Sequence, residues 1–213
     1  MARPSPQERL AEAYERFYRE HGDDFRGVGW TKSQAEVDLR FEVMLGVIRP
    51  GGPDPVELLD FGCGLGHLYE YLRRRPRAES QIRYAGLEIS PAMLEAARAK
   101  LPEVPIYDVD ITRGASSLPR FDYVVANGVF TYKDGLSHEE MLAYWRELLP
   151  RAFELARVGL AFNVMSKEVE WERADLFHLP LDVLSSFVAA NLSRRFVVRH
   201  DYPLYEYTTY VYR

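Results

Sequence analysis

Cysteine occurs once in this chain, at Cys63, so no disulfide can form within it. A lone thiol fits a reducing cytoplasm. With only five scattered histidines beside it, no zinc-ligand spacing exists, and no metal is expected. Long apolar runs are missing too: none approaches the ~18 residues that a membrane span needs. The opening stretch MARPSPQERL has no apolar h-region, which argues against a secretory signal. Positive charge is in deficit, with 27 Lys and Arg against 32 Asp and Glu and a formal net charge of −5. Such a balance weakens any general affinity for a nucleic-acid backbone. The densest basic cluster, Arg73, Arg74, Arg75 and Arg77 around Pro76, reads as a solvated helix end. There is no internal repeat and no low-complexity tract. The absences leave a soluble, cytoplasmic protein without a nucleic-acid or membrane partner, and 213 residues suit one domain of ordinary size.

What is present is a change of rhythm at residue 56. Residues 5–21 (SPQERLAEAYERFYREH) have helical spacing, with Leu10, Tyr14, Phe17 and Tyr18 on or near one face. A loop rich in glycine and aromatics follows, and residues 33–48 again read as a helix with Ser33 as N-cap. RPGGPDP then breaks the chain. From Val56 strands and helices alternate: VELLDFG, HLYEYLRRR, IRYAGLEIS, AMLEAARAKL, VPIYDVDIT, FDYVVANGVF, a long helix from Ser137, VGLAFNVMS and a helix in PLDVLSSFVAANL. Alternation of this kind predicts an α/β, doubly wound and mainly parallel seven-stranded sheet. RRFVVRHD and LYEYTTYVYR close the chain with so short a link that they must form an antiparallel hairpin. The division expected is an N-terminal helical lid over 1–50 on a Rossmann-like domain over 51–213.

The first strand-to-helix turn carries Gly62, Gly64 and Gly66. Bare backbone there lets main-chain N–H groups approach a ligand at the carboxyl edge of the sheet. Asp60 precedes the glycines, and Glu88 ends the second strand, where a carboxylate can accept from both hydroxyls of a ribose. Cys63 lies in the same loop and reads as a small packing residue; its only candidate activator by spacing is His67.

LLDFGCGLGHL followed by YAGLEIS resembles the first two motifs of class I S-adenosylmethionine-dependent methyltransferases, and the likeness extends over roughly residues 56–213. The resemblance implies that Asp60, Gly62, Gly64 and Gly66 surround the methionine part of the cofactor S-adenosylmethionine. Glu88 would then hold the ribose and Ile89 pack beside the adenine. Asp110, with Ile111 after it, matches the adenine-side position, for which Asp108 competes. Asn127 and Gly128 match the segment under the methyl donor. ANGVF, AFNVMS, HDYPLYEYTTYVYR and GVGWTKSQAEVDLRFEVML are also similar to short bacterial methyltransferases associated with polysaccharide or natural-product assembly.

Methyl transfer needs alignment and exclusion of water more than covalent help from the protein. The N-terminal region is the first lid candidate, with Tyr14, Tyr18 and Trp30 as aromatic wall; Trp30 is read as facing the cofactor. Arg40, a charge inside an apolar helical face, suits either the cofactor carboxylate or solvent. The second lid candidate is SKEVEWERADLFHLPLD, with Trp171 and His178. Phe130, after the fourth strand, and Asn163, at the end of the fifth, complete the predicted substrate pocket. His138, His178 and His200 are the candidate general bases. ANGVF replaces the Asn-Pro-Pro-Tyr signature of base- and glutamine-modifying enzymes, which favours a small-molecule acceptor such as a sugar or a natural-product intermediate. Oxygen and nitrogen both stay open as the methylated atom, as do monomer and homodimer. The alternatives are an RNA or protein methyltransferase, or a non-catalytic module binding the same cofactor.

Overall fold

In VELLDF only Glu57 escapes burial, and the other side chains divide between two cores: Val56 and Leu58 face one, Leu59 and Phe61 the other. A strand apolar on both faces belongs in the middle of a covered sheet, and β1 (Val56–Phe61) lies there. The computed structural model describes residues 4–30, 33–75, 80–113 and 118–213; Pro76 and Arg77 of the arginine cluster fall outside them.

The sheet has seven strands in the order β3-β2-β1-β4-β5-β7-β6, adding β2 (Ile82–Leu87), β3 (Ile106–Tyr107), β4 (Phe121–Ala126), β5 (Ala156–Met165), β6 (Phe196–Arg199) and β7 (Glu206–Tyr212). Its first five strands run parallel, and β7 inserts antiparallel between β5 and β6, as the short closing link requires. Strand order reverses between β1 and β4, which opens a crevice at their carboxyl ends.

The described α-helices are α1 (Pro6–His21), α2 (Gln34–Leu45), α3 (His67–Arg73), α4 (Pro91–Lys100), α5 (His138–Glu154) and α6 (Leu181–Asn191), and a serine stands at the N-cap of α1, α2, α4 and α5. In α1 and α5 a serine and the glutamate three residues on satisfy each other's N–H groups: Glu8 Nα to Ser5 Oγ at 3.2 Å and Glu140 Nα to Ser137 Oγ at 3.1 Å, with the glutamates reaching back. Ser90 caps α4 and Pro91 opens it. The helix expected over 33–48 stops at Leu45, followed by Gly46.

Two core clusters cover the two faces. One contains Trp145 and Leu149 of α5 with Leu184 of α6; the other contains Phe41 of α2, Leu68 of α3 and Leu94 of α4. Phe130, expected in the substrate pocket, is fully buried in the first core, edge-on to Phe162 at 6.1 Å. Its burial corrects that expectation: the apolar ring packs the sheet and lines none of the cavities described below. The third strand is also shorter than VPIYDVDIT suggested. It pairs over two residues, because Asp110 draws the chain into a turn by accepting from Thr112 Nα at 2.9 Å and Thr112 Oγ1 at 2.6 Å.

The arginine cluster serves the surface. Arg74 bonds Asp38 at 2.9 Å, Arg73 pairs with Glu103, and Arg75 lies 3.6 Å over the Tyr71 ring. The N-terminal helix crosses the carboxyl rim of the sheet through polar contacts. Glu15 accepts from Ser90 Oγ at 3.0 Å, Gln7 from Thr112 Oγ1 at 3.2 Å, and Arg16 donates to Asp134 at 3.0 Å. No described helix is long and apolar enough to cross a membrane.

Candidate functional site

The glycine loop folds back on the end of β2. Gly62 and Cys63 both donate their N–H to the Leu87 carbonyl, at 2.8 and 3.0 Å, and Gly64 donates to Glu88 Oε2 at 2.9 Å. Gly62 and Gly64 have positive φ, 73° and 54°, which a side chain would strain. A Cβ on Gly62 would also lie 2.7 Å from Val129 Cγ2. Gly66 does different work: a Cβ there would meet Leu101 Cδ1 at 2.4 Å, so this glycine lets α3 approach the end of α4 and does not line the cavity. Cys63 fills the gap left by Gly86, where a Cβ would come within 2.7 Å of its sulfur. Burial, with Asp60 and Glu88 nearby, pushes the thiol well up, so it packs as a neutral group.

Two buried carboxylates stand behind this loop. Glu88 accepts from Gly64, Ile89 and Ser90 N–H groups at 2.9, 2.8 and 2.8 Å, so it pins three stretches of backbone at the rim. Burial raises its pKa above the ordinary carboxylate range, and those N–H donors oppose the rise. Asp60 accepts from Tyr84 Oη at 2.7 Å. Its pKa is pushed up to about 7, chiefly by burial, opposed by the Tyr84 bond and reinforced by the Glu88 charge. Among the described residues it has no cationic partner in an ion pair, so the pocket favours positive charge.

Opposite the carboxylates, Asn127 and Gly128 leave β4. Both amide atoms of Asn127 are buried and have no hydrogen-bond partner among the described residues. The Gly128 N–H donates to Asn163 Oδ1 at 2.8 Å, and its carbonyl accepts from Tyr14 Oη at 3.0 Å. Tyr14 thereby ties α1 to the sheet edge, and burial raises its hydroxyl pKa. Trp30 closes over the same spot, its Nε1 3.3 Å from where a Cβ on Gly128 would stand. Together Tyr14, Trp30, Asp60, Gly64, Glu88 and Asn127 line one cavity, with Gly62, Ile89 and Gly128 also on its wall.

A glycine-rich turn, a ribose-height acid and unpartnered amide atoms at a strand switch point suit a nucleoside bearing a cationic tail. The sequence profile of the methyltransferase-domain family matches residues 59–159, which run from within β1 to within β5 and include the glycine turn, Glu88 and Asn127. The match, over just under half of the chain, supports an S-adenosylmethionine-dependent methyltransferase family. A relative from Mycobacterium tuberculosis, Rv1506c, named as a methyltransferase, is 29% identical over 160 residues, 74% of this chain and 93% of that protein. The dTDP-4-amino-2,3,4,6-tetradeoxy-D-glucose N,N-dimethyltransferase of Saccharopolyspora spinosa is 39% identical over 87 residues, 40% of this chain and 30% of that one. Among solved structures, the magnesium protoporphyrin IX methyltransferase of Synechocystis PCC 6803 with bound SAM superposes with a TM-score of 0.64 over 100% of this chain and 99% of that chain. At 16% identity, that likeness concerns the fold.

The remaining residues expected around the methyltransferase's cofactor are placed elsewhere. Asp110 forms the Thr112 turn and an ion pair with Arg113 at 3.1 Å, and Ile111 is buried in the core; neither lines the cavity among the described residues. Arg40 neither reaches the cavity nor snorkels to solvent. Its Nε donates to Glu206 at 3.2 and 3.0 Å, a pairing with both side chains largely buried. Tyr18 lines none of the cavities named here.

A second chamber adjoins the first, with Trp30 on the wall of both. It is lined by Arg40, Asn163, Trp171, His178 and Glu206, with Met165, Leu176 and Tyr205 among its apolar surfaces. Asn163 connects the two spaces, accepting from Gly128 and donating to Glu206 Oε1 at 2.9 Å. His178 is buried, with Nδ1 2.5 Å from the Ser166 carbonyl. His138 is exposed at the start of α5, its ring tilted against Phe177 at 5.2 Å, and His200 is exposed after β6, edge-on to Tyr207. Of the three candidate bases, only His178 lines either of these two cavities. His67 bonds Asp23 at 3.0 Å; with Glu70 they form a cluster whose carboxylates Lys100 bridges at 2.8 and 3.0 Å.

Sequence reasoning missed Glu206, Met165, Tyr205 and Leu176 of the second chamber. A signal existed for Glu206: EYTTYVY holds a single acid in a strand that is otherwise aromatic, apolar or hydroxylic. An isolated charge in a buried strand needs an opposite charge, and Arg40 poses the same question in α2.

Proposed function

We propose that this methyltransferase carries the methyl group of S-adenosylmethionine to an oxygen or nitrogen atom of a small polar molecule seated in the second chamber. The observation that carries the reading is the adjacency of the two cavities, which share Trp30 and are linked by the Gly128–Asn163 hydrogen bond.

When bound, S-adenosylmethionine supplies an electrophilic methyl on a sulfonium. The cavity residues fit that group. Glu88 has lone pairs left for ribose hydroxyls after its three backbone bonds, and the unpartnered Asn127 amide can take both a donor and an acceptor of the amino-acid tail. Asp60 and Glu88 supply negative charge for the cation, and the Tyr14 and Trp30 rings add a favourable face. Helix α1 with the loop to Trp30 acts as lid, held by Tyr14 and Glu15. Alignment and water exclusion of this kind are worth roughly 7–11 kcal/mol of a displacement barrier.

An acceptor of sugar type is favoured by three facts. The second chamber combines tryptophan and tyrosine walls with buried polar atoms; net charge is negative; and a relative acts, by its name, on a nucleotide-linked amino sugar. The test is transfer of tritiated methyl from S-adenosylmethionine to a panel of glycosides, amino sugars and hydroxylated aromatics, with an RNA and a protein extract as comparisons. Label in the small molecules supports the reading. Label confined to RNA or protein would sink it.

A further inference from the structure

Two residues that line the second chamber each carry a buried polar atom with no partner among the described residues, an acceptor at His178 Nε2 and a donor at Arg40 Nη1. We propose that they form the acceptor subsite, with His178 Nε2 as the general base and a hydroxyl as the group methylated. The inference rests on the methyl-transfer reading above.

The proton on His178 is located by its neighbour. A carbonyl oxygen only accepts, so the 2.5 Å contact with Ser166 requires the hydrogen on Nδ1. In the neutral ring Nε2 then holds a lone pair that no described residue engages, on a side chain that lines the chamber. The ring is held in place by its surroundings. His178 bridges Met165 of β5, flanked by Met165 Nα to the Phe177 carbonyl at 3.2 Å and Leu179 Nα to the Met165 carbonyl at 3.0 Å. Phe177 and Leu179 on either side are fully buried. Ser166 is fixed in turn, donating its N–H to the Tyr205 carbonyl at 2.9 Å.

Arg40 decides between acceptor chemistries. Its Nε bonds Glu206, which leaves Nη1 as a buried donor seeking an acceptor. An ammonium can only donate, so it can engage His178 but leaves Arg40 unanswered and meets a like charge. A hydroxyl donates to His178 and accepts from Arg40, by itself or with a neighbouring oxygen of the same ring. In the reaction an O–C bond forms as the S–C bond breaks, the bonding pair stays on sulfur as a thioether, and the hydroxyl proton moves to Nε2. The imidazolium then returns that proton to water at the chamber mouth, where Trp171 is 70% exposed.

The test has two arms. The first is a ¹⁵N-histidine spectrum of the whole chain loaded with S-adenosylhomocysteine, assigned with His178→Gln. It is expected to show His178 protonated on Nδ1 with Nε2 free; hydrogen on Nε2 would overturn the assignment without touching the cofactor reading. The second arm compares methyl glycosides with amino sugars as probes. Glycosides should be methylated by the wild type, and His178→Ala should lower kcat about 10²–10⁴-fold, with KM and S-adenosylhomocysteine affinity nearly unchanged and added imidazole restoring part of the rate. Undiminished turnover in His178→Ala, or transfer to amines alone, would overturn the proposal. Failure of the wild type on every probe would count against the methyl-transfer reading, and the spectrum would still decide the tautomer.

Discussion

The two cavities are built on opposite plans. The first takes its polar groups from three strand ends of the sheet, the turn after β1, the end of β2 and the exit of β4, with Tyr14 and Trp30 closing over them. The second is assembled by distant segments, with α2, the end of β5, the loop to His178 and the start of β7 meeting through an Arg40–Glu206 pair separated by 166 positions. A space whose polar groups sit on the strand ends of the sheet serves a ligand that stays the same. One built from loops can change its occupant without disturbing the fold.

The comparison makes its largest claim at Arg40. Arg40→Met leaves Glu206 charged, buried and short of a partner, which should cost ~3–5 kcal/mol of stability. Adding Glu206→Gln should recover most of that loss, as read from urea unfolding midpoints. A single variant as stable as the wild type would mean that the second chamber does not depend on this pair. In the first cavity, Glu88→Ala should weaken S-adenosylhomocysteine binding by ~1.5–3 kcal/mol, because the carboxylate positions Gly64, Ile89 and Ser90 as well as facing the ligand. Unchanged affinity would remove Glu88 from the site.

Asp60 gives a pH signature confined to the first cavity. With its pKa raised from 3.8 to about 7 in the folded chain, the folded state binds more protons than the unfolded state across that interval. Its contribution to stability is therefore fully present below pH 3.8 and is lost as pH rises through about 7. Asp60→Asn should flatten that fall between about pH 3.8 and 7. A cationic ligand favours the ionised carboxylate, so S-adenosylmethionine should bind more tightly above pH 7 than at pH 5.5, releasing protons as it binds; uptake of protons would contradict this.

The smallest effect is expected at Trp30. Trp30→Ala should lower affinity for the sulfonium cofactor more than for its neutral thioether product, by ~0.5–2 kcal/mol. Equal losses for the two ligands, with matched thermal destabilisation, would assign the ring to packing on Phe41, 5.5 Å away.

Legibility in the sequence follows the same divide. Strand and helix order, the closing hairpin and the helix start at Ser33 are local and periodic, and they were readable from adjacent residues. So were Gly62, Gly64, Asp60 and Glu88, since a turn motif keeps its spacing. Phe130 misled because it follows closely on the ANG segment, yet packing against Phe162 holds it in the core. Gly66 had the motif's spacing, although its contact is with Leu101, far along the chain. Arg40 and Glu206 each stood out as a charge among apolar neighbours, but nothing local says that two such residues 166 positions apart will meet.

The most direct test is calorimetric titration of the whole chain with S-adenosylhomocysteine, with NAD as the comparison. One site of micromolar affinity for the first ligand, weakened in Glu88→Ala, and no heat from the second is the result predicted. Binding of NAD alone, or no binding of S-adenosylhomocysteine by the folded wild type, would contradict the assignment of the glycine-loop cavity to the methyl donor.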